Sequence, residues 1–362
     1  MEKDIQEQLA QAEQISVEVS RRKALRIAAQ AGVGGAALAA GLGAGFGRDL
    51  PEALAAATGL PKKAYKVVFV NHVTTNPFFT PTQYGIQDAC AWTGCSYQWT
   101  GSQNSVVSEM VSAMETAVAS KADGIAVALV DNKAFNKPTT DALSIGIPVI
   151  GYNADAAGNA RLAYVGQSLY QSGVNIANRW LPLLKKGSHV MLSIATPGSL
   201  NLQPRLDGYI AAIKAAGNPV TYDVIASGAQ PNQELSAIES YYLSHKSNLA
   251  GMFGTGATDT LACGLVSKKY GFVKAGGVVA GYDLLPQTLA LIQSGDMTFT
   301  TDQQPYLQGF IPTLQIYLYK LSGGQVSPAN TDTSLAYVTK ANVGTYVSVK
   351  SRFEGSTSAE PM

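Results

Sequence analysis

Cysteine is scarce in this 362-residue chain. Cys90, Cys95 and Cys263 are the whole set, and an odd number excludes a framework in which every thiol is paired. Cys90 and Cys95 stand five positions apart around Gly94, where a helix over residues 84–92 is expected to stop; a short-range disulfide and two free thiols are equally open. Histidine is as rare. His72, His189 and His245 are far apart with no second cysteine pair near them, so no metal is expected. Charge of one sign is missing too: 26 Lys and Arg face 25 Asp and Glu, a net charge of +1, so no overall field points to nucleic acid or an anionic membrane. The function is therefore local to a site. No Gly-x-Ser-x-Gly elbow and no His-Glu-x-x-His helix occurs, so hydrolysis lacks a nucleophile or a metal, and no enzyme is expected. Residues 254–259 imitate a dinucleotide fingerprint, but Asp259 replaces its third glycine and would repel a phosphate; no cofactor is expected.

The first sixty residues differ from the rest. A polar leader ends in Ser20-Arg21-Arg22-Lys23-Ala24-Leu25-Arg26, and residues 27–46 are small or apolar apart from Gln30. That pattern reads as a twin-arginine export signal followed by a linker, with a cleavage site near Ala53 to Ala57. An uncleaved anchor is the competing reading. The leader holds no cysteine to accept a lipid.

Beyond the linker, continuous apolar runs at 66–70, 124–130, 148–151, 189–193, 251–253 and 277–281 alternate with segments of helical period. Runs without polar alternation suit parallel strands covered on both faces. Helices are predicted over 106–121, 172–184, 205–216, 232–245 and 259–270. The fold class is α/β, with two doubly wound lobes. In such sheets a ligand sits beyond the carboxyl ends of the strands. Polar residues gather there: Asn71 to Phe79, Asn153 with Asp155, Thr196 leading to Arg205, Thr255, Asp283, and a crossover from Thr300 to Tyr306.

Asn76-Pro77-Phe78-Phe79 with Gly85, Gly146 to Ile150, Arg205-Leu206-Asp207-Gly208-Tyr209, Gly281-Tyr282-Asp283 and Asp302-Gln303-Gln304-Pro305 stand in the order and spacing of a known family. From Tyr65 to Tyr346 the chain resembles the ribose-binding-type periplasmic proteins of ABC importers, which share their fold with LacI-type effector domains. The resemblance implies a type I periplasmic binding protein: residues 64–168 with 304–332 as one lobe, 169–303 with 333–355 as the other, and a three-strand hinge. It implies a monomer that captures a neutral polyhydroxylated ligand, a sugar or polyol, and hands it to a membrane permease. A sensory receptor for a sugar-like or nucleoside-like signal is the alternative, with an enzyme on the same scaffold behind it. Carried over by position, the ligand residues are Asn76, Phe78, Phe79, Arg205, Asp283 and Gln303. Two departures bear on the ligand. Pentose-binding relatives end the third strand in Asp-Arg, where Asn153 and Ala154 stand here, and a frequent Asn is replaced by Gly256. Asn153, Asp155 and Thr255 are therefore added to the expected set, Asp155 as a substitute for part of the lost charge. His72 follows a strand, a position that can line the cleft, although a solitary histidine is more often an ordinary polar residue than a ligand or base. The physical logic is independent of the family: an aromatic surface meets the C–H face of a sugar, and charged or amide groups meet its hydroxyls.

Overall fold

The computed structural model describes residues 60–217, 220–349 and 352–353, so the predicted export signal lies outside the described residues. Among the described residues no helix is long and apolar enough to cross a membrane.

Among the described residues twelve strands form two six-stranded sheets. The first joins β1 (Lys66–Asn71), β2 (Ser96–Gly101), β3 (Gly124–Val127), β4 (Val149–Tyr152), β5 (Ala163–Gly166) and β11 (Thr331–Asp332) in the order β11-β5-β4-β3-β1-β2, all parallel. The second joins β6 (His189–Ile194), β7 (Thr221–Ala226), β8 (Leu249–Gly254), β9 (Val278–Ala280), β10 (Phe299–Asp302) and β12 (Ala336–Thr339) in the order β12-β10-β9-β8-β6-β7; only β12 is antiparallel. The strand order reverses beside β1 in one sheet and beside β6 in the other. Each reversal opens a crevice at the carboxyl ends of the strands.

The predicted apolar runs become the buried central strands, although 124–130 is extended only to Val127. The strands β5, β11 and β12 are not among the predicted runs, and neither are β2 and β7. Both are half-exposed edges, Ser-Tyr-Gln-Trp-Thr-Gly and Thr-Tyr-Asp-Val-Ile-Ala, whose outward face keeps polar side chains and so breaks the apolar run. The helices are α1 (Thr80–Thr93), α2 (Val107–Ala119), α3 (Asn136–Ser144), α4 (Leu169–Trp180), α5 (Gln203–Ala215), α6 (Pro231–His245), α7 (Ala257–Tyr270), α8 (Pro286–Ser294), α9 (Pro305–Leu321) and α10 (Val343–Val349). α1 stops as predicted, with Gly94 in the left-handed region at φ 79°.

The chain passes between the sheets three times: from β5 to α4, from β10 to α9, and from β11 to β12. α9 packs on α1, and α4 packs on α5. Both contacts bring backbones together. A Cβ on Gly85 would stand 2.1 Å from the Tyr306 carbonyl oxygen, and one on Gly173 would stand 2.2 Å from that of Arg205. Only glycine fits, so these positions set how deeply α9 and α5 seat.

The three cysteines are free thiols. Burial, and then the neighbouring Cys95, push the Cys90 thiol up to about 12; burial also raises Cys95 and Cys263. Two predictions follow from packing and burial. Gly85→Ala should cost about 1–3 kcal/mol in urea unfolding, because backbone rather than a flexible side chain occupies the space. Thiolate is the reacting form, so Cys90 of the native protein should alkylate on the order of a thousandfold more slowly than an exposed cysteine, measured by mass shift against the unfolded chain.

Candidate ligand-binding site

The carboxyl ends of both sheets face one cavity with about 570 Å³ of space free of protein atoms, open solvent at its mouth included. β1 runs into it. Asn71 ties the exit of this strand by donating to the Tyr152 hydroxyl at 2.8 Å and accepting from the Val73 N–H at 2.8 Å. Asn76 then caps a short 3-10 turn, Pro77–Phe79: its side-chain oxygen accepts from the Phe78 N–H at 2.9 Å. The cap commits that oxygen and leaves the amide NH₂ as the group Asn76 can offer a ligand. The turn places Phe78 and Phe79 edge to face, with ring centroids 4.7 Å apart, and Phe79 continues onto Trp99 and His72. This is the apolar wall.

Opposite it stands Arg205, in the first turn of α5 and almost fully buried. One Nη donates to the Thr255 carbonyl at 2.9 Å and the other to Gln167 Oε1 at 3.2 Å, while the guanidinium lies 3.9 Å from the centroid of the Tyr282 ring. Planar bonding and stacking leave one rotation available, and the Nε of Arg205 is without a partner.

A directional chain of amides closes the far side. Asp283 accepts from Gln303 Nε2 at 2.7 Å, Gln303 Oε1 accepts from Gln308 Nε2 at 3.2 Å, and Gln308 Oε1 accepts from Asn153 Nδ2 at 3.2 Å. An ionised carboxylate only accepts, and the Gln303 carbonyl, which also takes Gln308 Nε2 at 3.2 Å, only accepts too, so the amides share one direction and leave Asn153 Oδ1 as an acceptor without a partner. Asp283 and Asn153 both have positive φ, 76° and 61°, which turns their side chains out of the strand direction. Burial pushes the Asp283 carboxyl up to about 7, against the opposing pull of Arg205 and the bond from Gln303.

The cavity wall thus contains Asn76, Phe78, Phe79, Asn153, Arg205, Asp283 and Gln303. Two expected residues lie elsewhere. Asp155 is paired with Arg161 through both of its carboxylate oxygens and lines a separate depression, so it does not make up for a missing charge in the cavity. Thr255 is buried behind the wall: its hydroxyl donates to the Ser193 carbonyl and its own carbonyl holds Arg205. Its contribution is to position Arg205.

Three residues that the motifs passed over belong to the cavity or its support. His72 lines it, and the direction of its hydrogen bonds is set from outside: Ser199 donates to Asn201 Oδ1, so the Asn201 amide NH₂ donates to His72 Nε2 at 3.0 Å. The proton of the neutral ring is then on Nδ1, which has no partner. Burial, and next the Arg205 charge, lower His72 to about 4, which keeps the ring neutral above that pH. Gln308 links two amides of the chain, and Glu234 adds an unpartnered Oε2. His72 was visible as a polar residue at a strand end. Glu234 and Gln308 lie inside helices and carried no such signal.

His72, Asn153, Arg205 and Glu234 all line this cavity, and each holds a buried polar atom without a partner, Nδ1, Oδ1, Nε and Oε2 in turn. Each such atom costs on the order of 1–3 kcal/mol if nothing meets it. Donors and acceptors around an aromatic wall suit a molecule that bears several hydroxyls.

Residues 67–323 match the model of the periplasmic binding protein domain. The chain is 45% identical to the xylose/arabinose-binding protein XylF of Sulfolobus acidocaldarius, over 98% of this chain and 95% of that one. An ABC transporter solute-binding protein from Burkholderia graminis, solved in complex with D-arabinose, superposes with a TM-score of 0.72 at 25% identity, covering 79% of this chain and 99% of that one. A carbohydrate transporter protein from Acidothermus cellulolyticus, in complex with myo-inositol, shares the fold with a TM-score of 0.71 at 21% identity, covering 82% and 100%. The two sheets of this chain with their helices are those of type I periplasmic binding proteins, and the chain belongs to the periplasmic binding protein family.

Proposed function

We propose that the protein is an exported receptor that encloses a single sugar, a pentose of the xylose or arabinose kind, and delivers it as a monomer to the permease of an ABC importer. One observation carries this reading: four residues that hold buried polar atoms without partners line, together with two phenylalanine rings, one cavity between the sheets. A relative named for xylose and arabinose binding supports it over 98% of the chain, and a solute-binding protein solved with D-arabinose over 79%. The Arg-Arg pair at Arg21-Arg22 and the apolar stretch after it support export by the twin-arginine route. The two sheets with their helices act as lobes, residues 64–168 with 304–332 against 169–303 with 333–355. Closing them brings His72 onto Asn201 and Gln230 onto Asn104, the latter at 2.7 Å.

The ligand rests on chemistry at each contact. The ring of a pentose presents C–H bonds to Phe78 and Phe79, and its hydroxyls take Arg205, Asp283, Asn153 and His72. Asn153 stands where pentose binders of this type place a charged residue, and its oriented Oδ1 supplies an acceptor there without charge.

Binding to the native state alone raises its melting temperature by mass action. D-Xylose or L-arabinose should therefore raise the Tm of the mature protein, while adenosine should leave it in place. Asp283→Ala and Arg205→Ala should each weaken binding by roughly 30-fold or more in calorimetry, as expected for charge-assisted hydrogen bonds, with circular dichroism still that of a folded protein. A panel of sugars, polyols and nucleosides that gives no shift would refute the ligand class; unchanged affinity in both variants would refute the site.

A further inference from the structure

One carboxyl on the cavity wall has no place in any of the motifs. Glu234 sits in the first turn of α6, its side chain is almost fully buried, and its Oε2 has no partner. No cation pairs with it among the described residues. Arg205, the cation on the same wall, is held by Thr255, Gln167 and the Tyr282 ring.

The groups that face it favour a proton on Glu234. From α7 come the Asp259 carboxyl and the Cys263 thiol; around the cavity stand neutral His72, Arg205 and Asp283; on β7, Asp223 is taken up by Tyr241. Asp259 and Glu234 are close enough to interact, yet they are not equivalent. Asp259 accepts backbone N–H groups of Thr255 at 3.0 Å, Gly256 at 2.8 Å and Thr260 at 2.8 Å, at the positive end of α7. Those bonds stabilise its charged form. Glu234 has no backbone donor of that kind, only the Thr258 side chain, and burial together with the Asp259 charge raises its carboxyl well above the usual range. A buried, unpaired carboxylate beside another carboxylate is far more costly than a carboxyl that keeps its proton. A neutral carboxyl also carries what a charged one lacks, an O–H donor next to an acceptor oxygen.

We propose that Glu234 lines the cavity as a protonated carboxyl group that donates a hydrogen bond to a hydroxyl of the bound sugar, so that loss of this proton weakens binding. The inference rests on the sugar-receptor reading and adds to it a specificity residue and an alkaline limit. With Glu234 neutral, the charges on the cavity wall reduce, once the pH is above the value of about 7 to which Asp283 is raised, to Arg205 against Asp283, which suits an uncharged sugar.

Affinity for D-xylose and L-arabinose, measured by calorimetry at about pH 6 and about pH 9 on the wild type, Glu234→Ala and Glu234→Gln, tests the ligand role. At the lower pH, Glu234→Ala should bind roughly 10-fold or more weakly and Glu234→Gln should recover most of that loss, because an amide can donate in the same place. At the higher pH the wild type should lose roughly 10-fold more affinity than Glu234→Gln, which has no proton to lose. A Glu234→Ala variant as tight as the wild type, or equal losses with pH in wild type and Glu234→Gln, overturns the proposal. The melting temperature without sugar separates the two layers. A native state that holds the proton more tightly than the unfolded chain loses stability as pH rises from the ordinary glutamate range through the raised one, so the unliganded wild type should lose more Tm over that interval than Glu234→Gln. Parallel Tm losses overturn the protonated carboxyl whatever the ligand. A wild type that binds neither sugar, yet shows the difference in Tm, overturns the sugar reading and leaves the proton on Glu234 in place.

Discussion

The chain of bonds from Asp283 through Gln303 and Gln308 to Asn153 is the interaction on which the site depends. It starts after β9 in the second sheet, crosses with the chain between β10 and α9, and ends after β4 in the first. Amides are ambiguous partners, since each can present either end. A carboxylate at one terminus removes the ambiguity, and the same polarity then passes to a residue in the other sheet. The chain therefore joins the halves mechanically and decides which atom Asn153 shows to a ligand. Thr333, on the third crossing, donates to the Gln303 carbonyl at 2.7 Å and ties that segment to the same node.

A second constraint is the cost of buried charge. The cavity is walled by groups that would be expensive to leave ionised and alone, and the fold meets each differently. Arg205 is planar and takes two carbonyl-type acceptors plus a ring. Asp259 is moved behind the wall onto three N–H groups. His72 is neutral because burial and Arg205 both disfavour its cation. What faces the cavity is accordingly a set of hydrogen-bonding groups with little net charge, matched to a neutral, hydroxyl-rich molecule. Backbone contacts at Gly85 and Gly173 seat α9 and α5, the helices that carry Gln308 and Arg205, so packing far from the ligand sets the positions of groups that meet it.

Much of the fold was legible from local pattern. Parallel strands buried on both faces read as apolar runs, and Asn76, Phe78, Phe79, Arg205 and Asp283, marked by the family resemblance and by their places after strands, line the cavity. Edge strands β2 and β7 were not legible, since one exposed face mixes polar residues into the run. Asp155 shows the limit of reading by position. It follows Asn153 by two residues, yet the chain returns Arg161 to it before β5, and the pair leaves the cavity. Glu234 and Gln308 are the converse case: each sits within a helix, where spacing says only which face it shares.

The sequence by itself determined the alternation of strands and helices, the near-zero net charge and the strand-end positions of the aromatic and charged groups, because these follow from periodicity and composition along the chain. Tertiary structure alone decided which carboxyls are paired, which amide end is offered, which histidine nitrogen bears the proton, and that a helix residue, Glu234, reaches the cavity. Those outcomes depend on burial and on partners distant in the chain, such as Asn153 with Gln308 and His72 with Asn201. A hydrogen bond or a desolvation cost exists only once folding has put its two sides together.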